Sequence, residues 1–244
     1  MHDELIQNIE AIENRIMNAC EKSGRNREEI KLLLATKTVS AKRIEIALNA
    51  GYRLIAENKI QEVKEKYEAL ARIPHESHFI GHLQTNKVKE ILRYNIDCIE
   101  SLDRLELAEK LHQRLTIEDK HLDVLVQVNT SKEVSKFGVD PAGAIDLIKA
   151  VAQLNRLHIR GLMTIGLFSA EPALVRPCFQ LLKQLSEDIK TLHIPNVQMR
   201  ELSMGMSGDL EIAIEEGATI VRVGTAIFGK RIYPDSYYWN EQNN

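Results

Sequence analysis

The chain has 244 residues, which is enough for one large core, and α/β barrels commonly reach about 250 residues as a single domain. A hydrophobic share of 44% and a net charge of −3 are those of an ordinary globular protein, and they give no basic surface for nucleic acid. The cysteines, Cys20, Cys98 and Cys178, form no C-x-x-C pair, which argues against a disulfide framework and a structural zinc site.

The amino terminus opens an amphipathic helix rather than a signal sequence. Leu5, Ile9 and Ile12 begin a row of apolar residues at alternating spacings of four and three. This row predicts a helix over 3–23, within an N-terminal segment of residues 1–25. No apolar run approaches the roughly 18 residues that span a bilayer. We therefore expect a soluble, cytoplasmic protein that has neither nucleic-acid nor membrane partners.

The first predicted strand ends on a lysine. Residues 31–37 read Lys-Leu-Leu-Leu-Ala-Thr-Lys, a continuous apolar run that is typical of a parallel strand buried on both faces. Lys37 then lies at the carboxyl end of the strand, where α/β barrels and open α/β sheets place their chemistry. Taken alone, the run favours a lysine that simply enters solvent, because lysines are mostly exposed.

Helices and strands then alternate to the end of the chain. After the first strand, strands are predicted over 53–58, 78–82, 97–100, 123–129, 159–164, 201–204 and 219–224. Helices are predicted over 40–50, 59–71, 86–94, 103–115, 141–154, from Pro172 or Pro177 to 191, and over 208–216. A short, weak helix follows the last strand.

Strict alternation implies a parallel sheet, and eight repeats in about 250 residues imply closure into a TIM-type (β/α)8 barrel. A doubly wound open sheet is the rival fold. For an open sheet we would expect fewer strands or a Gly-x-Gly-x-x-Gly turn after the first strand, and that turn is absent. We expect one domain over 1–244, in which residues 230–244 form a short tail.

The loops after the last two strands suit an anion. They carry Ser203, Gly205 and Ser207, then Gly224 and Thr225. Barrels of this type commonly bind phosphate at these loops, since glycines admit backbone N–H groups and hydroxyls add donors. The same residues also suit a tight turn and a helix cap, and both interpretations remain open at this point.

The alternation of side chains along the strands predicts that two cationic side chains point into the barrel. Arg222 shares its side of the last strand with Ile220, and Lys37 shares its side of the first strand with Leu33. A buried guanidinium needs a partner, so two inward cations beside an anion pocket suggest a phosphorylated ligand. The histidines lack metal-ligand spacing, and we assign His78 and the others packing or solvent roles.

A lysine that faces a phosphate site can capture an aldehyde as a Schiff base. The phosphorylated aldehyde that fits best is pyridoxal phosphate. Arg222 would donate to its pyridine nitrogen and keep that nitrogen unprotonated, which weakens the cofactor as an electron sink.

These motifs occur in order along nearly the whole chain, and together they resemble one family. They are Leu34–Lys37, Glu57-Asn58-x-x-Gln61-Glu62, His78–Lys87, Val128–Thr130 with Lys136–Val139, Gly161–Thr164, Leu202–Asp209 and Val221–Thr225. The sequence resembles the pyridoxal phosphate homeostasis proteins, single-domain relatives of the alanine racemase barrel. One departure is Ile55-Ala56, where the family more often has Phe-Gly, and this changes the packing near Asn58.

The resemblance implies a barrel of pyridoxal phosphate fold type III with an extra N-terminal helix and without a C-terminal β domain. It implies that Lys37 carries pyridoxal 5'-phosphate covalently and that Arg222 approaches the ring nitrogen. The remaining cofactor-binding residues are predicted to be Asn58, Ser203, Met204, Gly205, Gly224 and Thr225, of which Ser203, Gly224 and Thr225 hold the phosphate.

The implied function is to buffer the cofactor in the cell and to deliver it, without turnover. A racemase of this fold draws a second acid/base from a C-terminal domain and a partner subunit, and we expect neither here. We therefore predict a monomeric carrier whose partners are the cofactor and the apo-enzymes that accept it. Two alternatives remain open. One is an amino-acid racemase-like enzyme, and the other is a Schiff-base aldolase that needs no pyridoxal phosphate.

Overall fold

Eight parallel strands close into a barrel, and helices cover its outer surface. This architecture, in a computed structural model, confirms the predicted (β/α)8 barrel. The structure describes residues 2–133, 135–167, 169 and 171–229, so the predicted tail over 230–244 lies outside the described residues. No helix in the described part of the chain is long and apolar enough to cross a membrane.

The strands pair in chain order, and the last strand also pairs with the first, which closes the barrel. The strands are β1 (Lys31–Ala35), β2 (Leu54–Glu57), β3 (Glu76–Phe79), β4 (Cys98–Leu102), β5 (Leu122–Gln127), β6 (Leu157–Met163), β7 (Val197–Ser203) and β8 (Ile220–Val223). The helices are α1 (His2–Ser23), α2 (Ala41–Asn49), α3 (Ile60–Leu70), α4 (Val88–Ile91), α5 (Leu105–Glu118), α6 (Ala144–Val151), α7 (Pro172–Thr191), α8 (Leu210–Glu215) and α9 (Thr225–Phe228).

Side-chain alternation along the strands divides the core into an outer and an inner layer. Outward residues such as Leu34, Ile55 and Val124 pack against the helices and form the larger cluster. Fully burying one such side chain contributes roughly 1.5–3 kcal/mol, so this outer layer supplies most of the hydrophobic stabilisation. The smaller cluster inside the barrel consists of Leu33, Leu54, Ala56, Cys98, Leu125, Met163 and Ile220.

The N-terminal helix α1 packs beside the closure of the barrel, as its apolar periodicity predicts. Ile9 and Ile16 are fully buried, and the helix contacts α2, α8 and α9. Arg15 donates to the Glu211 carboxylate on α8 at 2.6 and 2.8 Å and to the Ser207 carbonyl at 3.0 Å. Helix α1 therefore holds the loop that precedes α8.

Several boundaries differ from the prediction. Strand β3 ends at Phe79 rather than at residue 82, and β7 begins at Val197 rather than at residue 201. Helix α7 begins at Pro172, the earlier of the two predicted starts, and contains Pro177. In place of one helix over 86–94, the four-residue α4 lies between two short 3-10 turns.

Gly81 lies two residues beyond the end of β3, close to the backbone of the neighbouring strand β2. After Phe79 the chain passes so close to the end of β2 that a Cβ on Gly81 would lie 1.9 Å from the Asn58 carbonyl oxygen. The backbone of Gly81 therefore packs closely against that of Asn58, a predicted cofactor-binding residue.

We predict that Gly81→Ala destabilises the protein by about 1–3 kcal/mol, because the added methyl group meets backbone that cannot yield as a side chain can. Urea unfolding measures the loss. Gly143→Ala is the matched control, since a Cβ there would lie 3.5 Å from the nearest heavy atom, a Val139 methyl carbon. Equal stability of the two variants would contradict the prediction.

Candidate functional site

Lys37 follows β1 by two residues, at the carboxyl-terminal rim of the barrel. Leu33 lies inside the barrel, whereas the Thr36 hydroxyl points outward and donates to Glu57 at 2.6 Å. The same alternation directs the half-buried Lys37 toward the barrel mouth. Thr38, which comes next, has a φ of 65°, so the chain turns sharply at this point.

Arg222 lies inside the barrel at the neighbouring strand β8. It is in register with Leu33 of β1 and is only 5% exposed. Its guanidinium donates to the Ser203 hydroxyl at 2.8 Å and to the Thr164 carbonyl at 2.7 Å. Burial lowers the pKa of Arg222, but a guanidinium remains charged in proteins, so the barrel interior contains a cation.

An acidic group inside the barrel balances this cation. The Ser203 hydroxyl donates to Glu100 Oε2 at 2.6 Å, and Glu100 Oε1 lies 2.6 Å from His78 Nδ1. His78 Nε2 in turn lies 2.9 Å from Glu76 Oε1 at the start of β3. Charges of alternating sign thus run through the barrel from its amino-terminal end to Arg222. We call these residues, Glu76, His78, Glu100, Ser203 and Arg222, the interior column.

The pKa values within the column follow from these contacts. Burial alone would lower the pKa of His78, but the hydrogen bonds to Glu100 and Glu76 outweigh it and raise the pKa to about 9. Burial would raise the pKa of Glu100, but His78, Arg222 and Ser203 outweigh it and lower the pKa. At neutral pH His78 is therefore a cation between two carboxylates.

The sequence reasoning missed most of this column. It assigned His78 a packing or solvent role, whereas the structure buries His78 as a charged partner of Glu100. Alternation inside β3 and β4 was the available signal, because it turns both side chains inward. The family resemblance predicts that Ser203 helps to hold a phosphate, and in the structure the Ser203 hydroxyl is hydrogen-bonded to Glu100 and Arg222.

The loops after β7 and β8 meet at the rim. The Thr225 and Ser207 hydroxyls lie 3.5 Å apart, and the Arg222 amide donates to the Gly205 carbonyl at 3.0 Å. Gly205 has a φ of 88°, and a Cβ there would lie 2.4 Å from the Ala213 methyl group. Only glycine fits this position. Gly224 immediately precedes α9, next to Thr225.

Two other predicted residues lie near this rim in different environments. Asn58 follows β2, and its Oδ1 is buried without a hydrogen-bond partner among the described residues. A buried polar atom of this kind is costly unless a ligand or water satisfies it. The Met204 side chain is fully buried in the outer core, so a contact with a ligand at the mouth would come from its main chain.

The donor set suits a phosphorylated aldehyde better than a metal ion. A lysine, an arginine, an orphaned amide oxygen and a glycine-rich loop converge on one end of the barrel. Within the described ranges, no group of three or more histidine, cysteine, aspartate or glutamate side chains is arranged to hold a metal ion. The residues present therefore fit pyridoxal phosphate.

A family model described as the N-terminal domain of alanine racemase matches residues 7–232. In agreement, alanine racemase of Clostridium difficile 630 has the same fold, with a TM-score of 0.75 at 15% identity. The alignment covers 96% of this chain and 58% of the racemase chain. The fold and the site thus define an alanine racemase-type barrel.

More similar relatives identify the family within this class. A pyridoxal phosphate homeostasis protein of Aquifex aeolicus is 42% identical over 227 residues, which are 93% of this chain and 98% of the relative. The corresponding Escherichia coli K12 protein is 38% identical over 234 residues, 95% of this chain and 98% of the relative. The chain belongs to the family of pyridoxal phosphate homeostasis proteins.

Solved structures agree with this assignment. A crystal structure of an unknown protein from Bifidobacterium adolescentis has a TM-score of 0.89 at 40% identity, and covers 93% of this chain and 95% of that chain. PipY of Synechococcus elongatus PCC7942, solved with pyridoxal phosphate bound, has a TM-score of 0.77 at 30% identity. That comparison covers 88% of this chain and the whole of the PipY chain.

The interior column predicts a pH dependence of stability. Because the folded-state pKa of His78 is raised from 6.5 to about 9, its contribution is complete below about pH 6.5 and is lost as the pH rises through 9. We expect the free energy of unfolding to fall by up to about 3 kcal/mol between these pH values. Urea unfolding at a series of pH values measures this loss.

The double variant His78→Gln, Glu100→Gln is the control for this titration. Both amides retain hydrogen-bonding groups but carry no charge, so the pH dependence in this range should largely disappear. A His78 ring that titrates near 6.5 by NMR in the folded wild type would contradict the prediction.

Proposed function

We propose that this protein binds pyridoxal 5'-phosphate covalently through Lys37, holds it without turnover and delivers it to apo-enzymes. The observation that carries the proposal is that Lys37 follows β1, and that β1 pairs with β8, the strand that carries the buried Arg222. When bound, pyridoxal phosphate supplies an aldehyde that bonds to a lysine amine and a ring that accepts electrons. The cofactor seen in PipY supports this proposal.

The residues around the mouth would divide the binding between them. Gly205, Gly224 and Thr225 present backbone amides and a hydroxyl that suit the phosphate. Asn58 brings a buried amide group to the carboxyl end of the neighbouring strand β2. Lys37 supplies the amine.

Arg222 determines what the bound ring can do. A guanidinium offers only N–H donors and does not give up its proton, so it would hydrogen-bond the ring nitrogen without protonating it. Glu100 and Ser203 keep the guanidinium charged and oriented. An unprotonated ring withdraws electrons weakly, which suits a protein that stores the cofactor.

The name of the relatives, homeostasis protein, supports a storage function and specifies no recipient. A cytoplasmic location, a monomeric state and apo-enzymes as recipients are parts of this proposal. Sedimentation of the purified protein tests the monomeric state.

We predict that Lys37→Ala abolishes the linkage that borohydride reduces, while non-covalent binding through the phosphate loops persists. The physical reason is that the loops after β7 and β8 do not depend on the Lys37 amine. Peptide mapping by mass spectrometry after borohydride reduction locates the label. Lys31→Ala, at the opposite and exposed end of β1, is the matched control and should label like the wild type. A label on any lysine other than Lys37 would overturn the assignment.

A racemase-like activity is the alternative, and proton exchange tests it. We expect L- and D-alanine in deuterated water to keep their Cα hydrogen in the presence of the loaded protein, as judged by NMR. The reason is the weak electron withdrawal that Arg222 imposes on the ring. Exchange at about 1 s⁻¹ or faster, within the usual enzymatic range, would show that the protein is an enzyme.

A further inference from the structure

A buried lysine on helix α3 contacts the segment that carries Lys37. Lys66 is only 8% exposed, although lysines are almost never fully buried unless they are paired. Its ammonium donates to the Thr36 carbonyl at 2.9 Å, to Glu57 Oε1 at 2.7 Å and to Glu62 Oε2 at 2.7 Å. All of its N–H donors are therefore used.

Glu62 extends this contact to the other side of Lys37. Its Oε2, which accepts from Lys66, also accepts the Thr38 amide at 2.5 Å. The Thr36 carbonyl belongs to the peptide unit before the Lys37 Cα, and the Thr38 amide belongs to the unit after it. Both peptide units that flank Lys37 are thus held by one ion pair on α3.

Glu57 holds the same segment from the outer face of the barrel wall. Its Oε1 accepts from Lys66 and from the Thr36 hydroxyl at 2.6 Å, while its Oε2 has no partner among the described residues. Burial raises the pKa of Glu57 to about 7, against the opposing effect of Lys66. We call Glu57, Glu62 and Lys66 the clamp.

The held segment is one that needs support. Thr38 has a φ of 65°, in the left-handed region that costs a non-glycine residue roughly 1–2 kcal/mol. The hydrogen bond from its amide to Glu62 offsets this cost and fixes the turn. With both flanking peptide planes held, the direction of the Lys37 Cα–Cβ bond is also fixed, because φ and ψ are the only soft backbone torsions.

We propose that the clamp is a positioning device that aims the Lys37 side chain into the barrel mouth. The inference rests on the proposed function of Lys37 as the attachment residue. Stability alone is a weak reason for such a cluster, since hydrophobic residues of similar volume can replace a buried ion pair without loss. The clamp sits outside the barrel wall and acts through the backbone of residues 36–38 and the Thr36 hydroxyl.

Two substitutions open the clamp. Lys66→Met keeps the length and apolar stem of the side chain but removes the ammonium, and Glu62→Gln removes the charge that pairs with it. Lys64→Met and Glu65→Gln are matched controls, because both residues are exposed on the same helix. Val63→Ala is a second control, since it removes packing from the buried face of α3 and leaves the clamp intact.

The first measurement needs no cofactor. Amide hydrogen exchange over residues 36–39, followed by mass spectrometry, reports how firmly the clamp holds this segment. We expect exchange at least about tenfold faster in the clamp variants than in the wild type. In Glu62→Gln the Thr38 amide has only a neutral acceptor, and in Lys66→Met its acceptor Glu62 has lost its ion-pair partner. The Lys64, Glu65 and Val63 variants should exchange in this segment like the wild type.

The second measurement separates positioning from binding. Stopped-flow absorbance gives the rate of covalent attachment of pyridoxal phosphate, and calorimetry gives the affinity for pyridoxamine phosphate, which has no aldehyde. In the clamp variants we expect attachment to slow by about 10- to 100-fold, as for a misplaced reacting group. Affinity for pyridoxamine phosphate should be unchanged within error, and Val63→Ala should change neither quantity.

Each outcome decides the proposal. Unchanged exchange, or faster exchange with an unchanged attachment rate, would overturn it while attachment at Lys37 in the wild type stands. Attachment elsewhere in the wild type would overturn the proposed function and this proposal with it. If Lys66→Met does not fold, the double variant Glu57→Gln, Lys66→Met removes both buried charges and undergoes the same measurements.

Discussion

Leu33 of β1 lies beside Arg222 of β8, and this pairing closes the barrel. The first and last strands of the chain become neighbours only through this closure. Lys37 follows one of these strands and the Gly224–Thr225 turn follows the other, so the amine and the predicted phosphate loop share one rim. An open sheet would place them at opposite edges. The candidate site is therefore a consequence of closure rather than of any single motif.

Closure of the barrel also encloses charged side chains, and within the interior column these side chains pair with one another. A barrel of this size is ordinarily filled by aliphatic side chains, and here the aliphatic cluster shares the interior with Arg222, Glu100 and His78. Desolvating each ion is costly, and the cost is offset only where partners are close and hydrogen-bonded. The column satisfies this condition with contacts of 2.6 to 2.9 Å from Glu76 to Arg222. The charge at the mouth is thus maintained by partners that reach the opposite end of the barrel.

The sequence was sufficient to predict the barrel because the patterns that indicate its strands and helices are local. Each strand and helix has its own period, and counting the alternations predicts closure without knowledge of any contact. Alternation along β8 likewise predicted that Arg222 points inward, where the structure buries it beside Ser203. Boundaries were predicted less well: β3 ends at Phe79, although the apolar pattern continues through Ile80.

The partners of these residues were beyond prediction because they depend on tertiary distance. Glu100 meets Ser203 across 103 positions of sequence, and nothing local to either residue indicates the other. Lys66 and Glu62 are spaced as i and i+4, which usually indicates an exposed helical ion pair. Only the packing of α3 against β2 buries this pair beside Glu57. Local sequence spacing identifies which residues can form an ion pair. Burial decides whether that ion pair does more than remain solvated at the surface.

The column and the clamp approach the site from opposite sides of the same wall. The column lies inside the barrel and ends at Arg222, whereas the clamp lies in the outer layer and ends at the backbone around Lys37. Under the proposed function, one set of contacts would bear on the electronics of a bound ring, and the other would bear on the placement of the amine. Because the two sets share no residue, a change in one need not alter the other.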